Sequence, residues 1–418
     1  MSATPPFSDA EFRERRDRVR AALSERGLDA ILITSPENIY YLVGLDHMGY
    51  FAYQMLVLPA KGEPVLITRA MEHAVVRDQV PGIHHVGYPD GSAADRAPAG
   101  GPPPAKGAET LEPWPAPGRA AVDEAPPSVR CTCDVVSELG LAEGVLGMEK
   151  SGSFFPAALA EGIQAGLPGA VFHEASGLVD GFRIRQSPAE LACTREAARV
   201  SDAMMLTAIA SAGLGVHKRD VMGATYNEMC RRGGTYPGFV PLVRATTTLD
   251  HEHGTWQDYV LGDGDLLFLE MAGCVRRYHA PMGRLVFLGD APDEAVRAND
   301  ICREAAHAAA DTIRPEVQAG DVYAAWQGVL DRHGVDYRRH HCGYSVGIGY
   351  PPSWSGSGVP VGLRAGSEMR LEAGMVFHLM SWLLRSPLGD AFLSDTVVVT
   401  EDGCEFLTTV PADLTVRR

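Results

Sequence analysis

Leu266-Leu267-Phe268-Leu269-Glu270-Met271-Ala272-Gly273-Cys274-Val275-Arg276-Arg277-Tyr278-His279-Ala280-Pro281-Met282-Gly283-Arg284-Leu285-Val286-Phe287-Leu288 is the stretch around which the chain is organised. Two β-rich apolar runs flank a short middle, the pattern of two antiparallel strands joined by a tight connection. At strand period Glu270 shares a face with Leu266 and Phe268. A carboxylate in that position must be paired, bound to a metal, or raised in pKa by desolvation. The plain alternative is a strand-end Glu pointing into water.

Outward from the hairpin, Ser187-Pro188-Ala189-Glu190 carries an N-cap Ser, a Pro at the first helical position and the Glu of a capping box. It opens a long helix to about Ser211. Further helices are expected over residues 218–232, 293–313 and 321–332, with strands at 345–348, 375–379 and 396–400. Helices set against a largely antiparallel sheet make an α+β domain over residues 187–418. Residues 1–180 alternate differently: a charged helix from Asp9 ended by Gly27, a buried strand at 28–34, a helix from Ser35, strands at 54–58, 64–67 and 144–148, and a helix from about Pro156. This is a small α/β domain. A Pro-, Gly- and Ala-rich run over about 89–127 interrupts it and lacks the apolar content to offset its ordering entropy. It is expected to be a flexible insertion, with Trp114 as a point that docks back.

The composition narrows the classes of function. The chain has 418 residues, 45% of them hydrophobic, with a formal net charge of −16. That charge argues against nucleic acid or an anionic membrane as partner, and a small-molecule substrate is expected instead. No apolar run approaches bilayer length, and no basic leader precedes an apolar core. Eight scattered cysteines do not make a disulfide framework, so a cytoplasmic location is expected. Cys131-Thr132-Cys133 is too tight for a zinc knuckle.

Several pieces in register resemble the creatinase/prolidase/methionine-aminopeptidase (M24) superfamily. They are Ser187-Pro-Ala-Glu, Gly264-Asp265-Leu266-Leu267, Arg284, Leu371-Glu372-Ala373-Gly374-Met375-Val376-Phe377, and the run Asp395-Thr396 to Asp402-Gly403. The resemblance implies a pita-bread C-terminal domain with a small creatinase-like N-terminal domain, and a homodimer. Metallopeptidases of this superfamily hold two metal ions with two Asp, one His and two Glu. At those positions this chain has Glu270, Pro281, Tyr344, Met380 and Ser394. Divalent cations need carboxylate and imidazole ligands, so no metal and no cofactor are expected.

Creatinase, a metal-free member, opens a C–N bond with a His and acidic residues on the same scaffold. The residue matching its His is His253, within Asp250-His251-Glu252-His253-Gly254, and a His near a buried carboxylate suits proton transfer near neutral pH. His253 and Glu270 are the catalytic candidates. Tyr344, His341, His378, Arg277, Trp256 and Trp354 are the substrate-binding candidates, with Arg244 and Arg364 as alternative seats for a substrate carboxylate. Glu270 to Pro281 and His340 to Trp354 are most similar to the ectoine-hydrolase branch. That resemblance implies hydrolysis of a cyclic amidinium, with Glu270 as nucleophile or general base. The alternatives are hydrolysis of another amidino or guanidino acid, an Xaa-Pro peptidase, and a catalytically inactive pita-bread module that binds protein.

Overall fold

The structure is a computed structural model that describes residues 7–89, 125–152, 154–356, 361–386 and 389–418. The expected insertion, with Trp114, lies almost wholly outside the described residues. The chain divides into two compact units, Met1–Phe182 and Arg183–Arg418.

The N-terminal unit holds strands β1 (Ala30–Ile33), β2 (Met55–Pro59), β3 (Val65–Arg69), β4 (His84–Tyr88), β5 (Val145–Met148) and β6 (Val171–Glu174). They form one mixed sheet in the order β4-β3-β2-β1-β5-β6. β1 is fully buried, as an apolar run between two covering layers should be. The helix Pro36–Val43 begins at Ser35, whose hydroxyl accepts from the Asn38 amide N–H, and ends on left-handed Gly44, a cap at each end. The helix Pro127–Glu138 and the strands β4 and β6 were not expected. β6 is largely exposed, so it lacks the apolar alternation that marks a strand.

The C-terminal unit holds β7 (Leu242–Ala245), β8 (Leu266–Val275), β9 (Tyr278–Leu288), β10 (Gly343–Ser345), β11 (Gly362–Leu363), β12 (Val376–Ser386) and β13 (Gly389–Val399). They lie in the order β11-β10-β12-β13-β9-β8-β7. β8 and β9 are the expected hairpin, paired without a break from Leu266↔Phe287 to Val275↔Tyr278. Its two-residue turn places Arg276 and Arg277 at φ +48° and +67°, the conformation such turns require. β12 and β13 are a second hairpin, longer than the two short strands expected there. The helix Pro188–Ser211 starts with the full capping box of Ser187 and Glu190. Among the described residues no helix is long and apolar enough to cross a membrane.

Candidate active site

Strand register assembles the site. Glu270 on β8 opposes Gly283 on β9, Gly283 opposes Ser394 on β13, and Ser394 opposes Met380 on β12. Directly opposed residues project to one face, so these four positions form a row across the sheet. Two residues along, Ala272 opposes Pro281, and Thr396, His378 and Tyr344 are neighbours in turn. On the other side Arg244 opposes Phe268, and Trp382 opposes Phe392. A side chain at Gly283 would put its Cβ 2.0 Å from Phe392 Cε1 and 2.9 Å from Ser394 Oγ. Only glycine lets the aromatic ring and the Ser394 hydroxyl approach the hairpin there.

A cavity of about 190 Å³ opens on this face, and Glu270, His253, His341, Tyr344 and Trp354 all line it. Its wall is aromatic: Phe239 meets Trp354 edge to face at 4.6 Å and stacks on His253 at 6.2 Å. His253 itself is exposed at the rim.

Glu270 is 7% exposed. Burial pushes its carboxyl up to about 7, opposed by the Arg244 guanidinium and reinforced by Glu252. Among the described residues it accepts no hydrogen bond, and its Oε1 lies 3.8 Å from His378 Nε2. His378 is fully buried and does not line the cavity. Its Nε2 is 2.7 Å from Ser394 Oγ and its Nδ1 is 3.2 Å from the Tyr344 phenol, which accepts from Trp354 Nε1 at 2.9 Å. Burial, and after it His341, pulls His378 down to about 3, so the ring is neutral. Burial, with His340 and Arg339 adding to it, likewise lowers His341 to about 4.

Two guanidinium groups face the same cavity. Arg244 lies over the Phe268 ring at 3.6 Å and donates from Nη1 to the Leu249 carbonyl at 2.7 Å. Arg339 lies over Trp382 at 4.7 Å and pairs with Glu252 at 2.7 Å. The Nε of each, and His341 Nδ1, are buried with no hydrogen-bond partner among the described residues. Arg339, Glu252 and Trp382 went unnominated in the sequence. Glu252 adjoins His253, Arg339 sits two residues before His341 and Trp382 two residues beyond Met380, so nearness to nominated positions was the available signal, and it does not say which neighbour faces the cavity.

Three nominated residues lie elsewhere. Arg277 occupies the left-handed turn of the hairpin, its guanidinium between the Tyr236 ring at 3.9 Å and the Tyr350 ring at 5.0 Å. It does not line the cavity, because the turn's backbone directs its side chain into a structural clamp. Trp256 packs edge to face on Tyr226 at 5.9 Å, against an apolar cluster beneath the long helix, and it too is outside the cavity. The exposed Arg364 is not a lining residue either.

The pita-bread unit lines one cavity with a buried carboxylate from β8 and imidazoles from the flanking loops, a site of the hydrolase class. The chain belongs to metallopeptidase family M24, whose pattern matches residues 192–401, and the creatinase/prolidase N-terminal domain matches residues 15–185. It is 30% identical to an ectoine hydrolase of Halomonas elongata, over 99% of this chain and 98% of that protein. It is 28% identical to an uncharacterised hydrolase/peptidase of Sinorhizobium fredii, over 98% of each chain. The fold is that of a dipeptidase of Mycobacterium ulcerans, with a TM-score of 0.77 at 22% identity, over 98% of this chain and 99% of that one.

The family's metal pair does not fit the side chains present. Pro281 offers no donor side chain, and its carbonyl already accepts from Thr396 Oγ1 at 2.7 Å. Met380 presents a thioether to the cavity. Ser394 is engaged with His378. Glu270 is left as a single carboxylate, where hard cations need several oxygen or imidazole ligands.

Proposed function

We propose that this protein is a metal-independent hydrolase that opens a C–N bond of a small cyclic amidine bearing a carboxylate. Ectoine, giving N-acetyl-2,4-diaminobutyrate, is the foremost candidate. The carrying observation is the desolvated Glu270 carboxylate facing a small cavity that also presents the Arg244 and Arg339 guanidinium groups. Such a cavity offers one seat to a cation and another to an anion. At about 190 Å³ it is below the roughly 300 Å³ of drug-sized sites, which favours a single-ring compound.

An amidinium carbon is electrophilic without a metal. When the amidinium enters, its charge favours ionised Glu270, which either attacks the ring carbon or takes a proton from the water that does. In the first route C–N cleavage leaves an acyl-imidate on Glu270, which water hydrolyses to free the carboxylate; in the second, water adds to the carbon directly, its proton passing to Glu270, and the C–N bond breaks. The departing nitrogen takes a proton from His253 at the rim. The guanidinium groups of Arg244 and Arg339 hold the carboxylate and fix the ring's orientation. As in the creatinase branch, the working unit under this proposal is a cytoplasmic homodimer. Light scattering that returned a monomer mass would overturn the dimer.

The test is chelator-treated protein incubated separately with ectoine, with creatine, and with an Xaa-Pro dipeptide plus Mn²⁺, products being followed by NMR. Ring opening of ectoine that survives the chelator is the expected result. Cleavage of the dipeptide alone, and only with Mn²⁺, would replace this proposal with a peptidase.

A further inference from the structure

His378 and Tyr344 were nominated as substrate contacts, but hydrogen-bond accounting gives them another task. Trp354 Nε1–H can only donate, so the Tyr344 oxygen accepts that bond. The phenol's single proton then has the His378 Nδ1 lone pair as an acceptor at 3.2 Å. His378 is buried and its ring is neutral, so it carries one proton, and with Nδ1 accepting that proton sits on Nε2. Nε2 faces Ser394 Oγ at 2.7 Å and Glu270 Oε1 at 3.8 Å. The opposite tautomer would aim a lone pair at the Glu270 carboxylate and turn the phenol's proton loose.

We propose that Trp354 and Tyr344 lock His378 as the neutral Nε2–H tautomer, and that this N–H, shared by Ser394 and Glu270, positions the Glu270 carboxylate. His378 is thus a positioning residue that acts through Glu270, and the inference rests on Glu270 as the reacting carboxylate. The cross-strand row builds this in. Gly283, between Glu270 and Ser394, has no side chain to separate the two acceptors, and the His378 ring reaches across from the neighbouring row. The 3.8 Å separation is a charge–dipole contact, longer than a hydrogen bond.

The same accounting separates Tyr344 from a substrate-binding role. A phenol that accepts from Trp354 and donates to His378 has no proton left for the substrate. Tyr344→Phe should therefore act on turnover through the imidazole, with little effect on KM.

The test uses full-length protein. Long-range ¹⁵N–¹H correlation spectra of the histidines should show His378 protonated on Nε2 and bare on Nδ1 at pH 7.5. Tyr344→Phe should let the Nδ1–H form appear and lower kcat about tenfold with KM within about twofold, the effect of losing one hydrogen bond that organises a charged group. His378→Gln, which keeps an N–H donor near Nε2, should retain at least a tenth of wild-type kcat. His378→Phe should lose about a hundredfold. Crystal structures of the two variants should show the Glu270 carboxylate in place with Gln and swung away with Phe. A wild-type His378 protonated on Nδ1 would overturn the proposal, as would Gln and Phe variants that are alike in rate and in Glu270 position. Wild type that opens no amidine would instead remove the functional reading, while the tautomer and the Glu270 position still decide the network.

Discussion

Glu149 in the N-terminal unit and Glu270 in the C-terminal unit are two buried glutamates with different surroundings. Glu149 accepts the backbone N–H groups of Thr34 at 3.0 Å and Ser35 at 2.9 Å, and the side-chain amide of Asn38. Its carboxylate joins β5 to the start of the helix at Pro36. Glu270 accepts no hydrogen bond among the described residues and faces a cavity. Yet burial pushes both up to about 7, with Asp180 adding to the shift at Glu149. A perturbed carboxyl therefore does not by itself mark a site. What distinguishes Glu270 is unspent acceptor capacity beside open space, which is what a reacting group needs and a structural one lacks.

The sharpest way to break this comparison is substitution of both residues. Glu270→Gln keeps the shape and removes the charge, so turnover of the amidine should fall at least about a hundredfold. Glu149→Leu should leave the turnover of folded protein within about twofold. Stability should respond in the opposite sense. Glu149→Leu orphans two backbone N–H groups and should cost about 2–3 kcal/mol in urea unfolding. Glu270→Gln should be neutral or stabilising by about 1–2 kcal/mol at pH 8, since it removes a desolvated charge. Equal losses of turnover at the two positions would end the distinction.

Next in size is the anion seat. Arg339→Ala should raise KM about tenfold for a carboxylate-bearing amidine and hardly at all for the same ring without its carboxylate, measured by initial rates. A fall in kcat alone would make Arg339 a holder of Glu252 rather than of substrate.

The pH dependence sharpens the comparison further. For both glutamates the folded value, about 7, is above the ordinary carboxylate value of 4.5. The native state therefore binds the proton more tightly, and its contribution to stability is greatest below pH 4.5. That contribution is lost as pH rises to 7 and is flat above it. Glu270 alone should also appear in kinetics. On the acid side of about pH 7, kcat/KM should fall tenfold per pH unit, because that ratio reports ionisation in the free enzyme. In Glu270→Gln the acid limb should vanish, whereas Glu149→Leu should retain it.

What was legible in the sequence follows from range. The capping box at Ser187, the apolar runs of β8 and β9 and the expected helices are set by neighbours a few residues apart, and each appears in the fold. Glu270 stood out because a carboxylate interrupts a buried strand. The resemblance then supplied His253, His341 and Tyr344, all of which line the cavity. Arg339 and Trp382 were not legible, because their place depends on the order of strands across the sheet. Arg277, expected as a substrate contact, lies outside the cavity for a local reason: in sequence it looks like any exposed arginine until the Tyr236 and Tyr350 rings are placed beside its left-handed turn.

The smallest expected effect concerns two tryptophans that looked alike in sequence, both in loops near candidate residues. Trp354 is 1% exposed, packs on Phe239 and donates to the Tyr344 phenol. Trp256 packs on Tyr226 and the apolar cluster beneath the long helix. Phenylalanine keeps most of the area of either ring but no N–H. At position 256 that loss removes no hydrogen bond to the cavity, so kcat/KM for Trp256→Phe should stay within about twofold of wild type, and stability within about 1.5 kcal/mol, as for a tolerated swap in an apolar cluster. At position 354 the missing N–H frees the phenol from its donor, so Trp354→Phe should lower kcat several-fold while leaving KM nearly unchanged. Parallel kinetics on the two variants check this directly. A tenfold loss at 256 would bring that ring into the site, and equal, negligible effects at both would remove Trp354 from the network that holds Glu270.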